Sequence, residues 1–240
     1  MMVESPTEAV YVRRASSELT VEKPNGCLPR RGSIKGGRVT LESIDPAHHG
    51  ARLFASIQSP DIAADHWAYM PYGPWTDEIG FMEWLRGCAS NFQVTFYAII
   101  DRQRGPVGMC SFLNILPAAA VLEIGHIWFS PQLQRTPSAT EAIALMLGHA
   151  FDDLGYRRVE WRCNALNTPS RRAANRFGFR HEGVLYQHNV IKGKNRDTAV
   201  YAMLDGDWAD LKPTYRSWLS PDNFDDNGQQ RQSLQSMIAP

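Results

Sequence analysis

Cysteine is scarce and scattered. The 240 residues hold four of them, Cys27, Cys88, Cys110 and Cys163, with no CxxC spacing. That excludes a disulfide framework and argues against a zinc site, so no metal is expected and four packed thiols are the simpler account. An excess of charge of one sign is missing too, because 25 Lys and Arg balance 25 Asp and Glu. A general nucleic-acid binder carries a basic excess, so no nucleic-acid partner is expected. No uninterrupted apolar run approaches a membrane span, and no membrane partner is expected. Met1 to Val21 is polar and mixed in charge, unlike a secretory signal. A cytoplasmic protein is the default. What is present is a 43% hydrophobic chain, enough for one packed domain with extended ends. The expected division is an extension over 1–36, a domain over 37–206 and a second extension over 207–240.

Hydrophobic periodicity orders that domain. Residues 38–44 alternate as a first strand, with Val39 and Leu41 on one face. His48 to Gln58 carries Leu53, Phe54 and Ile57 at helical spacing. An aromatic loop follows from Asp65 to Trp75, stiffened by Pro71 and Pro74. Its Trp67, Tyr69, Met70, Tyr72 and Trp75 either plug the end of the core or line a substrate pocket. Residues 77–89 read as a helix with Ile79, Met82, Trp84 and Leu85 inward. Strands over 94–101, 107–115 and 121–129, joined by short turns, favour an antiparallel meander. Residues 141–154 form the clearest helix, ended by Gly155. The strand over 158–163 returns after a helical crossover and is expected parallel to 121–129. A short helix over 170–176 and a closing hairpin over 182–192 and 198–204 complete the domain. The tail beyond Asp207 reads as an arm that packs either on its own domain or across a neighbour.

The most informative stretch is Gln134-Arg135-Thr136-Pro137-Ser138-Ala139, followed by Thr140 at the opening of a helix. A tight polar loop between a strand and a helix is a natural anion site. The first N–H groups of a helix have no internal partner, and its dipole is positive there. The loop therefore suits a diphosphate-like group without a row of lysines.

Glu123-Ile-Gly-His-Ile-Trp-Phe-Ser-Pro131, the loop 134–139, Asn167-Thr-Pro-Ser170 and Arg176-Phe-Gly-Phe179 together resemble the GNAT superfamily of acyl-CoA-dependent N-acetyltransferases. Ala139-Thr-Glu-Ala142, Glu182-Gly183 and Gly193-Lys-Asn-Arg-Asp197 are similar to its branch of ribosomal-protein N-terminal acetyltransferases. The resemblance covers about residues 38–204. It implies an α/β fold whose mixed, mostly antiparallel sheet of about six to seven strands is flanked by helices and contains a splayed central strand pair. It implies acetyl-CoA as cofactor, and a homodimer is consistent with it. The family loop has a central glycine where this chain has Pro137, which lacks an N–H and fixes φ. Gln134, Arg135, Thr136, Ser138, Ala139 and Thr140 are still expected to bind. The alternative is an ordinary capped turn without coenzyme affinity.

The resemblance assigns Asn167 to the pantetheine arm and makes Ser170 a candidate to protonate the departing thiolate. Ser170 is equally a candidate helix cap. Arg172 is a candidate for the 3′-phosphate, although Arg157-Arg158 and Arg171-Arg172 read simplest as solvated. A backbone N–H at Trp128 or Phe129 is expected to polarise the thioester carbonyl.

An amine must be neutral to attack, so a carboxylate or imidazole is useful as a base. Alternation puts Glu123, Gly125, Ile127 and Phe129 on one face. A carboxylate in so apolar a strand would be costly if merely buried, which favours function over the competing ion pair with an arginine. His126 falls on the opposite face unless a bulge splays the strand. Tyr186 and His188 on the hairpin are further acid and base candidates, against a packed Tyr and a surface His. Lys192, Lys194 and Arg196 near the hairpin tip reach an acidic acceptor or a partner subunit, or form a charged turn. The expected reaction is acetyl transfer to the primary amine of a small molecule in a ternary complex. A peptide or protein N-terminus is the second reading, and a non-catalytic coenzyme- or partner-binding module the third.

Overall fold

A computed structural model describes residues 26–59, 62 and 66–238. Most of the arm read from the first 30 residues, and Asp65 of the aromatic loop, lie outside the described residues. The strands are β1 (Ser33–Lys35), β2 (Val39–Ser43), β3 (Thr95–Asp101), β4 (Gly105–Leu116), β5 (Val121–Phe129), β6 (Arg158–Asn164), β7 (Arg180–Ile191) and β8 (Lys194–Leu204). They form one sheet in the order β1-β2-β3-β4-β5-β6-β8-β7. Eight strands correct the expected six to seven. One addition is β1, only three residues long, which pairs antiparallel with β2. So short a strand leaves no periodic pattern to read.

The meander β2 to β5 is antiparallel throughout. β5 and β6 run parallel, and their pairing covers only Val121, Leu122 and Glu123 against Arg158, Val159 and Glu160. Beyond Glu123 each strand stays bonded to its other neighbour, β5 to β4 and β6 to β8. A gap therefore opens in the middle of the sheet, and Glu123 stands at its closed end.

Local signals set the helices. Helix α1 (Pro46–Ile57) starts where the Asp45 side chain accepts the Ala47 N–H and a proline presets φ. Helix α2 (Glu78–Ser90) is capped by Asp77 and buries Phe81, Leu85 and Cys88, spaced by four and three residues. Ile79, expected inward, is 80% exposed. Helix α3 (Pro137–Gly148) begins a turn before the expected Glu141, because Thr136 caps it and Pro137 suits its first position. It passes into a π-helical turn, His149–Asp153, before Gly155 adopts φ 73°. Helix α4 is Thr168–Arg176 and α5 is Asp205–Leu219.

Two cores sandwich the sheet. On one face α3, α4 and α5 pack over Leu122, Ile124, Val159 and Trp161. Helix α5 buries Trp208, Tyr215 and Trp218 there, so the tail folds back on its own domain. On the other face α1, α2 and the aromatic loop close over Phe96, Met109 and Trp128. Glu141 ties α3 to the β1–β2 turn by accepting the N–H groups of Gly37, Arg38 and Val39 at 3.0, 2.6 and 2.8 Å. Such charge-assisted bonds are about twice as strong as neutral ones.

Candidate functional site: the gap between strands 5 and 6

A bulge decides what lines the gap. Gly125 pairs with Ser111 and Trp128 with Met109, so three steps along β5 match two along β4. His126 takes up the extra residue at φ 49°. Alternation breaks there. Ile127 and Phe129 join Leu122 and Ile124 over the first core, which corrects the expectation that they share the face of Glu123. His126 moves to that face instead, stacking with Tyr72 and meeting Phe96 at a tilt.

Glu123 is 6% exposed. Its Oε2 accepts Asn114 Nδ2 at 2.7 Å and lies 3.6 Å from Arg162 Nε. Burial pushes its carboxyl up to about 7, against the smaller pull of Asn114 and Arg162. Glu160 stands directly across in register. Arg158 and Arg162 both engage Glu160, with Nε–O distances of 2.8 Å each. The competing ion pair is therefore made chiefly by the neighbouring carboxylate. Arg158 also binds Glu182, so it is not merely solvated as expected. His126 Nδ1 is 3.2 Å from Tyr72 Oη. Burial lowers its pKa to about 4, which keeps the imidazole neutral near pH 7.

The backbone of β5 is turned toward the gap just where a ligand would need it. Ser130 N–H bonds Val107 O. In an antiparallel ladder the preceding residue then points its own N–H and C=O away from that neighbour. Phe129 therefore presents both groups to the gap, and its carbonyl accepts Gln134 Nε2 at 2.9 Å. The Trp128 ring packs against Trp67, while its Nε1 is buried without a partner among the described residues.

In the 134–140 loop several donors are already used. Gln134 N–H bonds Ser130 O, Thr136 N–H bonds Leu133 O, and Thr140 N–H bonds Thr136 O. Thr136 Oγ1 caps the Ala139 N–H at 3.2 Å. Ser138 Oγ donates to Asp101 Oδ2 at 2.8 Å, and Thr140 Oγ1 accepts from Arg176. Among the described residues, the N–H groups of Arg135 and Ser138 are left without an acceptor. Arg135, at φ 59°, is exposed beside them.

Across the gap, Asn167 rather than Ser170 caps α4, its Oδ1 accepting the Ser170 N–H at 3.1 Å. Among the described residues its Nδ2 donates to no acceptor. Ser170 Oγ accepts from Trp161 Nε1 at 3.0 Å and also touches the Cys163 thiol. Arg172 is exposed. Tyr186 is 79% exposed, and His188 Nδ1 lies 3.1 Å from Thr198 Oγ1. Of the aromatic loop, Trp67 is buried among Tyr72, Trp75 and Trp128, and Met70 packs on the same core. Tyr72 faces His126, and Tyr69 Oη donates to Leu166 O at 3.3 Å. The loop thus belongs to the second core and meets β5 through Tyr72 and His126. Elsewhere, Glu42, His48 and His49 bring ligand-type atoms together. There His49 Nδ1 accepts the Asp45 N–H and Nε2 faces Glu42.

Sequence comparison agrees with this geometry. The model of the Acetyltransferase (GNAT) domain matches residues 38–180. A GCN5-related N-acetyltransferase structure from Brucella melitensis is 41% identical, with a TM-score of 0.88 over 90% of this chain and 98% of that one. A GNAT-family acetyltransferase structure from Chromobacterium violaceum is 40% identical, with a TM-score of 0.74 over 81% and 96%. The N-acetyltransferase p20 of Bacillus licheniformis is 25% identical over 167 residues, 64% of this chain and 91% of that protein. The chain belongs to the GNAT family of acetyltransferases.

Proposed function

We propose that the protein transfers an acetyl group from acetyl-CoA to the primary amine of a small molecule bound at Glu123. Acetyl-CoA supplies an activated acyl thioester, and a structure of the same fold, the RimL ribosomal L7/L12 acetyltransferase, contains coenzyme A. The residues here fit such a group. Phe129 turns a free N–H into the gap, Arg135 and Ser138 keep free N–H groups at the start of α3, and Asn167 keeps its amide donor. Pro137 costs the loop one N–H but occupies a position where a helix tolerates it.

The reading rests on one observation above all: a buried carboxylate, held up to about 7, at the point where β5 and β6 part. An alkylammonium must lose a proton before it attacks, and a base with a pKa near ambient pH balances proton affinity against availability. Glu123 takes that proton, directly or through one water. Neutral His126 next to it adds no positive charge and hydrogen-bonds Tyr72. Ser170 is the group that returns a proton to the leaving thiolate, and Tyr186, 79% exposed on β7, is not needed for that step.

A small acceptor is favoured by closure at both ends. Lys192 Nζ donates to Trp67 O at 2.9 Å, which brings the β7–β8 tip onto the aromatic loop. Tyr69 bridges the same loop to the β6–α4 turn. A peptide N-terminus needs a longer open channel. The test is thiol release from acetyl-CoA across a panel of small amines and peptides, with a thermal shift run beside it. Amine-dependent release with small amines ahead of peptides is expected. A chain that neither releases thiol nor gains stability at millimolar acetyl-CoA overturns the proposal.

A further inference from the structure

Among the described residues, Arg196 in this groove forms no salt bridge. Arg196 lies on β8 at the entrance to the hairpin tip. Register places it on the face of Glu123: Glu123 pairs with Glu160, Glu160 with Ala202, Arg162 with Val200 and Asn164 with Thr198. Directly paired residues share a face, and β8 continues from Thr198 to Arg196 in steps of two. The irregularity of the hairpin is carried by β7, where Gln187 adopts φ 48°.

The Arg196 Nε is buried and has no hydrogen-bond partner among the described residues. Nearby acids are committed elsewhere. Glu160 is held by Arg158 and Arg162. Asp197 accepts the Gln187 N–H at 2.7 Å and Asn195 Nδ2 at 2.9 Å. Glu123 is taken by Asn114 and faces Arg162. The charge of Arg196 nevertheless reaches into the site, since it pulls down both Glu123 and His126. Lys192 sets a second cation at the same rim. A guanidinium held partly out of water without a partner is costly, and its planar fork matches a carboxylate.

We propose that Arg196 binds a carboxylate on the acceptor, so that the preferred substrates are small amino acids or amino-acid-like amines rather than plain amines or polyamines. This inference rests on the reading of the Glu123 groove as the acceptor site. A bound carboxylate supplies the missing counterion and aims the adjacent amine along the sheet face toward Glu123. A polyamine brings a second positive charge to Arg196 and Lys192 and is repelled.

The test uses matched pairs, an amino acid against its amide and its decarboxylated amine, with wild type, Arg196→Met and Arg196→Lys. Thiol release measures turnover, and calorimetry measures binding of the N-acetyl amino acid, which needs no chemistry. Wild type is expected to favour the carboxylate-bearing member by about 10²-fold in kcat/KM, since a site built for a polar group rejects analogues that lack it. Arg196→Met is expected to bring that ratio within about threefold of unity, and Arg196→Lys to retain part of it, because a point charge lacks the fork. Absence of the preference, or a preference that survives in Arg196→Met, overturns the inference. Acetylation confined to plain amines or to peptides overturns it while leaving the acetyltransferase reading intact. Arg196-dependent binding of the N-acetyl amino acid without turnover of any amine sustains it and sinks the reaction instead.

Discussion

β5 around Glu123 and β6 around Glu160 begin from the same chemistry, a glutamate on the same face of adjacent paired strands. Their surroundings differ. Glu160 is gripped by two arginines from its own strand, Arg158 and Arg162. Glu123 has one neutral amide at 2.7 Å, a more distant arginine and the weaker reach of Arg196. Arginine contacts and donated hydrogen bonds stabilise a carboxylate, whereas loss of water around it stabilises the acid, and at Glu123 the loss of water is the larger effect. One glutamate is therefore locked into an ion-pair network, and the other is the one whose carboxyl burial pushes up. Glu141, bound by three main-chain N–H groups, is likewise held in place by its partners. Burial alone does not mark the functional carboxylate. The identity of its partners does.

The sharpest way to break this contrast is to neutralise each glutamate. Glu123→Gln is expected to lower kcat/KM by about 10²–10⁴-fold, the usual contribution of a positioned base, with the melting temperature held or raised. Steady-state kinetics and a thermal melt read both. Glu160→Gln is expected to do the reverse. Breaking a buried ion pair costs about 3–5 kcal/mol, which lowers Tm by roughly 10 °C in a chain of this size. Its turnover at permissive temperature stays within about tenfold of wild type. Equal loss of rate in the two variants sinks the assignment.

The pH profile sharpens the same point. The folded-state pKa of Glu123 lies near 7, against an ordinary 4.5. Activity needs the carboxylate, so log kcat/KM is expected to rise with pH and level off above about 7. Stability moves oppositely. The folded protein keeps a proton that the unfolded chain releases, so this group's contribution is complete below the ordinary value and is lost as pH rises through about 7. Asn114→Ala removes a bond to the ionised form and is expected to shift the kinetic limb to higher pH. A profile flat from pH 5 to 8 in all variants contradicts this.

Two smaller effects test the periphery. The Ser138 hydroxyl faces buried Asp101, so Ser138→Ala is expected to cost about 1–2 kcal/mol in a denaturant melt while changing the KM for acetyl-CoA less than about threefold. Tyr186 is largely exposed, and Tyr186→Phe is expected to stay within about twofold of wild-type kcat, since a solvated hydroxyl far from an apolar wall does little. A larger loss there would bring the hairpin into the chemistry and redraw the groove.

Much of this was legible in the chain. Alternation over 121–129, the glycine after the α3 segment and the motif order around Gln134, Asn167 and Phe177 mark a strand, a helix end and a family. Glu123 stands out because an acid in an apolar strand demands a reason. The bulge at His126 was open in the sequence only as a condition suggested by the resemblance; alternation alone does not show it, because a left-handed residue in mid-strand is imposed by register against β4. It moves His126 onto the face of Glu123 and sends Ile127 and Phe129 to the other core. Ser170 also reads as a cap until Asn167 is seen to fill that role.

Sequence by itself determined the elements, their order and the positions of the reactive side chains, because periodicity, caps and turn residues act over a few positions. Tertiary structure alone decided which carboxylate is paired with arginines, which is merely buried, and which guanidinium keeps an Nε without a partner among the described residues. Glu123, Glu160 and Arg196 are separated by dozens of residues, and their surroundings follow from burial and from neighbours that only strand pairing brings together.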